Sequence, residues 1–251
     1  MALRLKRIGT VSALCIAALA AALILLSPGK ITRDSPRDLP WVLPDYRLAK
    51  THWYVGEDGR IYAEVEHFFL QGISPPMISW FYRNLPISTI EFKNTSYPLY
   101  HIFHPTEHGR IRVLEPASDG SSGMGLGALV GREEWFGTYD SRGAARIVEY
   151  SDAGFLAIPE VAGIPFGEVR HIFTPAEGGT EYRVQAVIGS SLPVLGPLLN
   201  WYLRHQVFHP QMMEQWQRHQ VEEVASLQFF LPSLYAQRDN AGAFVLEQQT
   251  P

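Results

Sequence analysis

Residues 216–235, WQRHQVEEVASLQFFLPSLY, carry a helical pattern near the end of the chain. The pattern extends from Leu195 to about Leu231 and is interrupted by Pro210, because proline lacks a backbone donor. The segments before it are short and separated by turn-forming residues, which is typical of strands. Strands followed by one long C-terminal helix indicate an α+β fold. A curved antiparallel sheet gripping that helix fits this order and would enclose a cavity.

Turn signals in the first two thirds of the chain predict three β-hairpins. Their turns are expected at residues 56–59 (GEDG), 140–143 (DSRG) and 176–179 (AEGG). A short amphipathic helix is expected over residues 76–85. Extended segments are expected at residues 87–92, 99–104 and 110–114.

The composition excludes several classes of protein. With 251 residues, 46% hydrophobic and 18% charged, the chain is not disordered. A single cysteine excludes a small disulfide scaffold. The net charge of −4 gives no electrostatic support for a nucleic-acid partner, so none is expected.

The N-terminus carries an apolar run that predicts a membrane segment. Ile8–Leu26 contains no charged residue and would span roughly 28 Å as a helix, and Arg4, Lys6 and Arg7 precede it. We interpret it as a transmembrane signal-anchor in preference to a cleaved signal peptide. The protein is then expected at a membrane with its domain extracytoplasmic, or exported if the segment is cleaved. The chain divides into this segment at residues 1–30, a linker at 31–47 and a folded domain at 48–251.

His219 and Glu223 lie four residues apart in the C-terminal helical stretch, so they share one helical face. An imidazole and a carboxylate at this spacing can bind one metal ion, although most such pairs are solvated surface pairs. Leu227 and Phe230 fall near the same side, which indicates that this pair borders an apolar interior. Because the only cysteine is Cys15, a metal site in the domain must use histidine and carboxylate ligands.

Residues 100–108, YHIFHPTEH, contain three of the nine histidines. As an extended segment they would end at Pro105, and His108 would follow in a turn, free to reach a site. Hydrogen-bonded histidines at the end of a strand explain the same residues, so both interpretations stay open from the residues alone.

The two stretches together resemble the diacetylphloroglucinol hydrolase family. YHIFHPTEH is similar to that family's Tyr-x-x-x-His-Pro-x-x-His segment. Residues 216–235 are similar to its His-x-x-x-Glu helix, which is followed by Phe-Leu-Pro-x-Leu-Tyr. The Trp80–Asn84 segment (WFYRN) also fits, and the resemblance extends from about Leu48 to Tyr235.

The resemblance implies a Bet v1-like helix-grip fold with a zinc ion (Zn²⁺) in its cavity. By motif position the implied zinc ligands are His108, His219 and Glu223, with a fourth glutamate on a middle strand. Glu133 and Glu134 are the candidates for the fourth ligand. Glu134 is preferred because it lies three residues before a glycine, but a slip of one residue would reverse its face.

The activity implied by the resemblance is zinc-dependent hydrolysis of a carbon–carbon bond in an acylated phenolic, phloroglucinol-like substrate, a small aromatic ketone. Tyr100 is implied as a substrate-contacting residue and would donate to the carbonyl oxygen, and His171 is implied as a proton shuttle. The sequence departs from the family where residues 110–112 (RIR) replace an asparagine, and it is shorter between the two motifs. These departures bear on the substrate more than on the fold and the metal.

Two other classes of function remain open. A non-catalytic helix-grip carrier of an apolar or aromatic ligand would suit the 12% aromatic content and would need no metal. A membrane-tethered structural or interaction protein would need no deep cavity. The oligomeric state is open as well, and a homodimer is compatible with the sequence.

Overall fold

Strands dominate the chain up to residue 188, and a long helix follows them. The computed structural model describes residues 29–161, 163–193, 195–240 and 243–246. The helical elements are α1 (Pro75–Asn84), α2 (Leu99–Phe103), α3 (Leu195–Tyr202) and α4 (Pro210–Ala236), with a 3₁₀ turn at Tyr46–Leu48 and a π-helical segment at Leu203–Val207. The strands are β1 (Lys50–Val55), β2 (Ile61–Glu66), β3 (Leu70–Gln71), β4 (Thr89–Phe92), β5 (Thr95–Pro98), β6 (His108–Glu115), β7 (Leu129–Phe136), β8 (Tyr139–Ser151), β9 (Gly154–Val161), β10 (Ile164–Pro165), β11 (Gly167–Ala176), β12 (Gly179–Ile188) and β13 (Ala243–Val245).

The main sheet of the described chain is antiparallel and has the order β1-β2-β12-β11-β9-β8-β7-β6, with β3 paired to β12 and β10 to β9. A smaller sheet has the order β13-β4-β5, in which β13 runs parallel to β4. The predicted α+β arrangement, a large antiparallel sheet with a long C-terminal helix, is confirmed. This arrangement is that of a helix-grip architecture.

Helix α4 is the element that the sheet packs against. Its 27 residues extend about 40 Å, and it contacts β2, β3 and β7 as well as helices α1 and α2. It starts at Pro210, whose fixed φ suits the first helical turn, so the predicted interruption there is confirmed. The side chains that it buries include Val221, Val224 and Leu227. Burial of this apolar face holds the helix on the sheet.

The hairpins at residues 56–59 and 176–179 are present as predicted, but the third turn lies elsewhere. The prediction of a turn at residues 140–143 is wrong, because the chain turns at Gly137 and Thr138 between β7 and β8. Gly137 has φ +60°, which glycine adopts without steric cost. Residues 140–143 pair in register with residues 132–135 of β7, so they are part of the ladder.

The prediction that residues 99–104 are extended is also wrong. Leu99–Phe103 forms the short helix α2, and the helical turn buries Leu99, Tyr100, Ile102 and Phe103 together. A strand would have alternated these side chains between two faces. His108 consequently lies at the start of β6 rather than in a turn.

Residues 31–47, predicted as a linker, lie against the domain. Arg33 donates to the carbonyl oxygens of Gly137 and Thr138, and the Trp41 ring stacks on Phe230 with centroids 5.2 Å apart. The predicted N-terminal segment at 1–30 lies outside the described residues except for Gly29 and Lys30. In the described part of the chain, none of the helices combines the length and apolar character that crossing a membrane requires.

His67, a partly buried residue whose ring lies 4.7 Å from that of Tyr182, gives a prediction about acid stability. Both of its ring nitrogens are buried and have no hydrogen-bond partner among the described residues, and burial lowers the pKa of His67 to about 3. The unfolded chain, with a pKa near 6.5, binds the proton more readily, so folding stability falls as the pH falls below about 6.5. At pH 5 this loss is roughly 2 kcal/mol relative to pH 8.

His67→Leu is therefore expected to narrow the difference in unfolding free energy between pH 8 and pH 5 by roughly 2 kcal/mol. Urea denaturation at the two pH values measures this difference. An unchanged pH dependence in the variant would contradict the assignment of His67 as an acid-sensitive residue.

Candidate metal centre

Strand register and helix periodicity bring the four predicted ligands to one place. His108 of β6 and Glu134 of β7 are direct cross-strand partners. In a regular strand His108 and Arg110 would point to the same face. A bulge at Gly109 breaks that alternation, so His108 faces the interior while Arg110 is exposed. Helix α4 brings His219 and Glu223 to the same point, since residues four apart share one helical face.

Glu134 is the glutamate of β7 that faces this centre. It is buried, and its Oε2 lies 4.0 Å from the Nε2 of both His108 and His219. Glu133 points to the opposite face and pairs with Arg142 at 3.1 Å. Of the two glutamates that the sequence left open, Glu134 is the one that faces the histidines, because neighbouring residues of a strand point to opposite faces.

The remaining distances are those of a compact ligand set. The Nε2 atoms of His108 and His219 are 3.2 Å apart, and Glu223 Oε2 lies 3.3 Å from the first and 3.6 Å from the second. Ligands at the usual zinc distances of about 2.0–2.2 Å stand about 3.3–3.6 Å apart in a tetrahedron. The three α4 and β6 ligands match that spacing, and Glu134 lies slightly farther out.

Hydrogen bonds on the far side of each ring leave both Nε2 atoms without a proton. His108 donates from Nδ1 to the carbonyl oxygen of Tyr100 at 2.7 Å, because a carbonyl can only accept. His219 donates from Nδ1 to Glu107 Oε2 at 2.9 Å. A neutral ring with a proton on Nδ1 presents a lone pair at Nε2. Two imidazole lone pairs and two carboxylates therefore face one another, an arrangement that a cation between them would stabilise.

Burial sets the protonation of this centre. It lowers the pKa of His108 and of His219 well below 6.5, with a further contribution from the neighbouring His104, so both rings are neutral at pH 7. Burial raises the pKa of Glu223 to about 8, against the opposing effects of Arg132 and a hydrogen bond from Gln220. At pH 7 most of the Glu223 carboxyl therefore keeps its proton until a cation displaces it. Two neutral imidazoles and two carboxylates would then form a mixed nitrogen and oxygen donor set of the kind that holds zinc, so these residues fit the implied ion.

Glu107 holds His219 in place from outside the ligand set. Its second oxygen, Oε1, accepts from the Gly137 amide at 2.8 Å and from Arg218. A carboxylate that receives these charge-assisted bonds is a strong acceptor for the imidazole proton. This carboxylate–histidine pairing is the usual support of a metal-binding histidine.

The other histidines of residues 100–108, His101 and His104, are hydrogen-bonded to residues outside the four-ligand centre. His104 forms a second group of donors with Glu107 and His219. Its Nδ1 accepts from the Glu107 amide at 3.2 Å, so Nε2 carries the proton and donates to Glu222 at 3.2 Å. His101 Nε2 donates to the carbonyl oxygen of Gly109 at 2.6 Å. These hydrogen bonds account for the close approach of His104, Glu107 and His219 without a metal ion.

Tyr100 and His171, the two residues implied as catalytic, line a cavity beside the centre together with Glu134 and Glu223. The Tyr100 hydroxyl donates to Glu134 Oε2 at 2.7 Å, and its ring stacks on the His108 ring with centroids 3.7 Å apart. His171 is not within the ligand group.

His171 belongs to a chain of buried hydrogen bonds at the cavity wall. Its Nδ1 is 2.5 Å from the hydroxyl of Tyr182, which is 2.6 Å from the hydroxyl of Tyr82. Burial lowers the pKa of His171 to about 3, and Phe155 stacks on the ring with centroids 4.1 Å apart. The ring is therefore neutral at pH 7 and is connected to two exchangeable hydroxyl protons.

The sequence analysis missed two charged residues of this region, Glu107 and Arg132. Arg132 lines the cavity and pairs with Glu134. Alternation could have found it, because it lies two residues before Glu134 on the same face of β7. Glu107 precedes His108 in the first motif, but its contact with His219 spans 112 residues and has no local signal.

Comparisons with known proteins give structural similarity only. No family model matches the chain, and no curated protein matches it. The crystal structure of protein Ms6760 from Mycobacterium smegmatis is 14% identical, covers 71% of this chain and 96% of its own, and gives a TM-score of 0.44. A START superfamily protein from Mycobacterium smegmatis is 13% identical, with coverages of 70% and 98% and a TM-score of 0.42. Ara h 8.0201 is 11% identical, with coverages of 71% of this chain and 99% of its own and a TM-score of 0.37.

Proposed function

We propose that this chain is a zinc-dependent hydrolase of the diacetylphloroglucinol hydrolase type. It would cleave the carbon–carbon bond between an acyl group and a phenolic ring. The observation that carries the proposal is the convergence of four buried acceptors, with both Nε2 lone pairs and both carboxylates directed at one point. His108, Glu134, His219 and Glu223 would hold the ion.

Bound zinc would supply a Lewis acid and a water of lowered pKa for attack on the acyl carbonyl. The residues of the chain set the conditions for that chemistry. The hydroxyl of Tyr100 fixes the Glu134 carboxylate, and the rings of Tyr100 and His108 stack and exclude water from one side. Glu107 fixes the tautomer of His219.

The products of the reaction are a carboxylic acid and a ring that has gained a hydrogen. The bond between ring carbon and acyl carbon breaks with its electron pair left on the ring, while water adds to the acyl carbon. The ring carbon must then take up a proton. The hydrogen-bonded chain of His171, Tyr182 and Tyr82 lies at the cavity wall and would relay that proton.

Zinc content and acetate release test the proposal together. Protein purified without chelators is expected to hold about one zinc per chain by elemental analysis, and to release acetate from mono- or diacetylphloroglucinol. Folded protein that takes up no zinc after dialysis against zinc chloride would overturn the proposal of a zinc-dependent hydrolase. Zinc-loaded protein that leaves a panel of acylated phenols intact would overturn the substrate class.

A second candidate function is a carrier of an apolar or aromatic molecule. The observation that favours it is a larger cavity of about 320 Å³ between the sheet and α4, with Val169, Ile188 and Met212 in its wall. A carrier would hold its ligand without zinc. Native mass spectrometry of freshly purified protein, with and without a chelator, separates the two functions, because a carrier retains the ligand when zinc is removed.

A further inference from the structure

Two cavities follow one another along the inner face of helix α4. The inner cavity, of about 130 Å³, contains the metal centre residues Glu134 and Glu223 in its wall. The outer cavity, of about 320 Å³, is lined on the helix by Met212 and Trp216. Arg132 lines both cavities, as do the apolar residues Ala145, Pro159 and Val169. The two cavities therefore meet at the side chain of Arg132.

Arg132 has more hydrogen-bond donors than the described chain uses. Its Nη1 pairs with Oε1 of Glu134, and this is its one hydrogen bond to any residue that the structure describes. A guanidinium carries five N–H donors in a rigid fork. The remaining donors suit a planar anionic group, which an arginine fork binds bidentately.

The charge of the inner cavity favours an anion as well. Its charged wall residues are Arg132, Glu134 and Glu223. Among the described residues that line it, Arg132 is the one with a positively charged side chain. A divalent cation on the two carboxylates leaves one positive charge without a partner. The Arg132 side chain is 40% exposed, so its free donors are accessible to a ligand, and an anionic oxygen would balance this charge.

The outer cavity has the opposite character beyond Arg132. Its wall is mostly apolar, with Phe166, Ile188, Leu203, Val207 and Met212. Its charged residues Asp140 and Arg142 are ion-paired with Arg33 and Glu133. An apolar or aromatic body would fill it, because such a body gains free energy when it leaves water.

We propose that the two cavities form one binding site for an elongated amphipathic anion. Arg132 binds the anionic oxygen, the acyl-bearing end lies in the inner cavity, and an apolar extension lies in the outer one. The inference rests on the proposed function for the charge that the metal contributes. It adds to that function a substrate class: acylated phenolates or related enolates that carry a sizeable apolar group.

The test compares an anion with a neutral molecule of the same shape. Isothermal titration calorimetry measures binding of 2-naphthoate and of 2-naphthamide to the full chain, in zinc-loaded and in chelator-treated form. We expect zinc-loaded wild type to prefer naphthoate by about 10-fold or more. Arg132→Met is expected to lose that preference through weaker naphthoate binding, with naphthamide changed by about 2-fold at most.

Two further variants keep the test decisive. Arg142→Met removes an arginine of the outer cavity that pairs with Glu133, and it is expected to retain the preference. Arg132→Lys retains the charge and is expected to keep part of the preference if Arg132→Met fails to fold. Preference for naphthoate that is unchanged in both Arg132 variants would overturn the inference, because the anion would then be bound elsewhere.

Zinc content of the same samples separates this inference from the proposed function. Wild type that binds zinc without an Arg132-dependent preference rejects the amphipathic-anion site and leaves the hydrolase standing. Wild type that takes up no zinc but shows the Arg132-dependent preference rejects the hydrolase and supports the binding site in a carrier.

Discussion

His219→Ala is expected to abolish zinc binding and hydrolysis together. His219 provides one of the two Nε2 lone pairs of the centre and is completely buried. Its loss leaves His108 as the one imidazole of the four-ligand centre. We expect zinc content below about one tenth of the wild-type value, since loss of a ligand exceeds the 10–100-fold effect of an outer partner. Elemental analysis after gel filtration measures it.

Glu107→Gln is expected to weaken zinc binding less than His219→Ala does, because Glu107 supports a ligand and is not one itself. The amide keeps the shape of the side chain but removes the charge that receives the His219 proton. Zinc affinity is expected to fall about 10–100-fold, with the fold retained. His205→Ala, at an exposed histidine, is the matched control and is expected to keep full zinc content. Full zinc content in His219→Ala with a native circular dichroism spectrum would contradict the centre described above.

Local periodicity explains why the helical half of the site could be predicted. His219 and Glu223 need only a helix to share a face, and the apolar residues around them identify that helix. The long C-terminal helix and two of the three hairpins follow from equally local signals. The placement of Glu134 opposite His108 depends on strand register, which the sequence limited to two candidates.

Tertiary contacts explain the errors and omissions. Leu99–Phe103 is predicted as extended, but its apolar residues at 99, 102 and 103 have helical spacing, and the helix buries them together with Tyr100. Gly137 and Gly143 are both plausible turn residues, and the pairing of Gly143 with Arg132 across the sheet decides between them. Glu107 contacts His219 from a distant part of the chain, and no sequence pattern in either segment predicts the contact.

Removal of zinc from the wild-type protein is expected to lower its Tm by about 8–16 °C. Without a cation, the two Nε2 lone pairs face the buried carboxyl groups of Glu134 and Glu223 with no ion to hold them together. The unfolded chain holds no preformed site, so zinc binding stabilises the folded state. At free zinc about 1,000 times Kd this stabilisation is about 4.1 kcal/mol. Each kcal/mol shifts the Tm of a domain of this size by about 2–4 °C. Differential scanning calorimetry with and without a chelator measures the shift.

The same measurement on His219→Ala separates zinc at this centre from zinc bound elsewhere on the protein. That variant is expected to melt at one temperature with and without zinc, because its centre lacks a ligand. Magnesium is a second control, since imidazole nitrogen suits zinc while magnesium prefers oxygen ligands. We expect magnesium to leave the wild-type Tm unchanged. An equal Tm shift in wild type and variant, or a Tm shift that magnesium reproduces, would show that the stabilising ion binds somewhere other than His108, Glu134, His219 and Glu223.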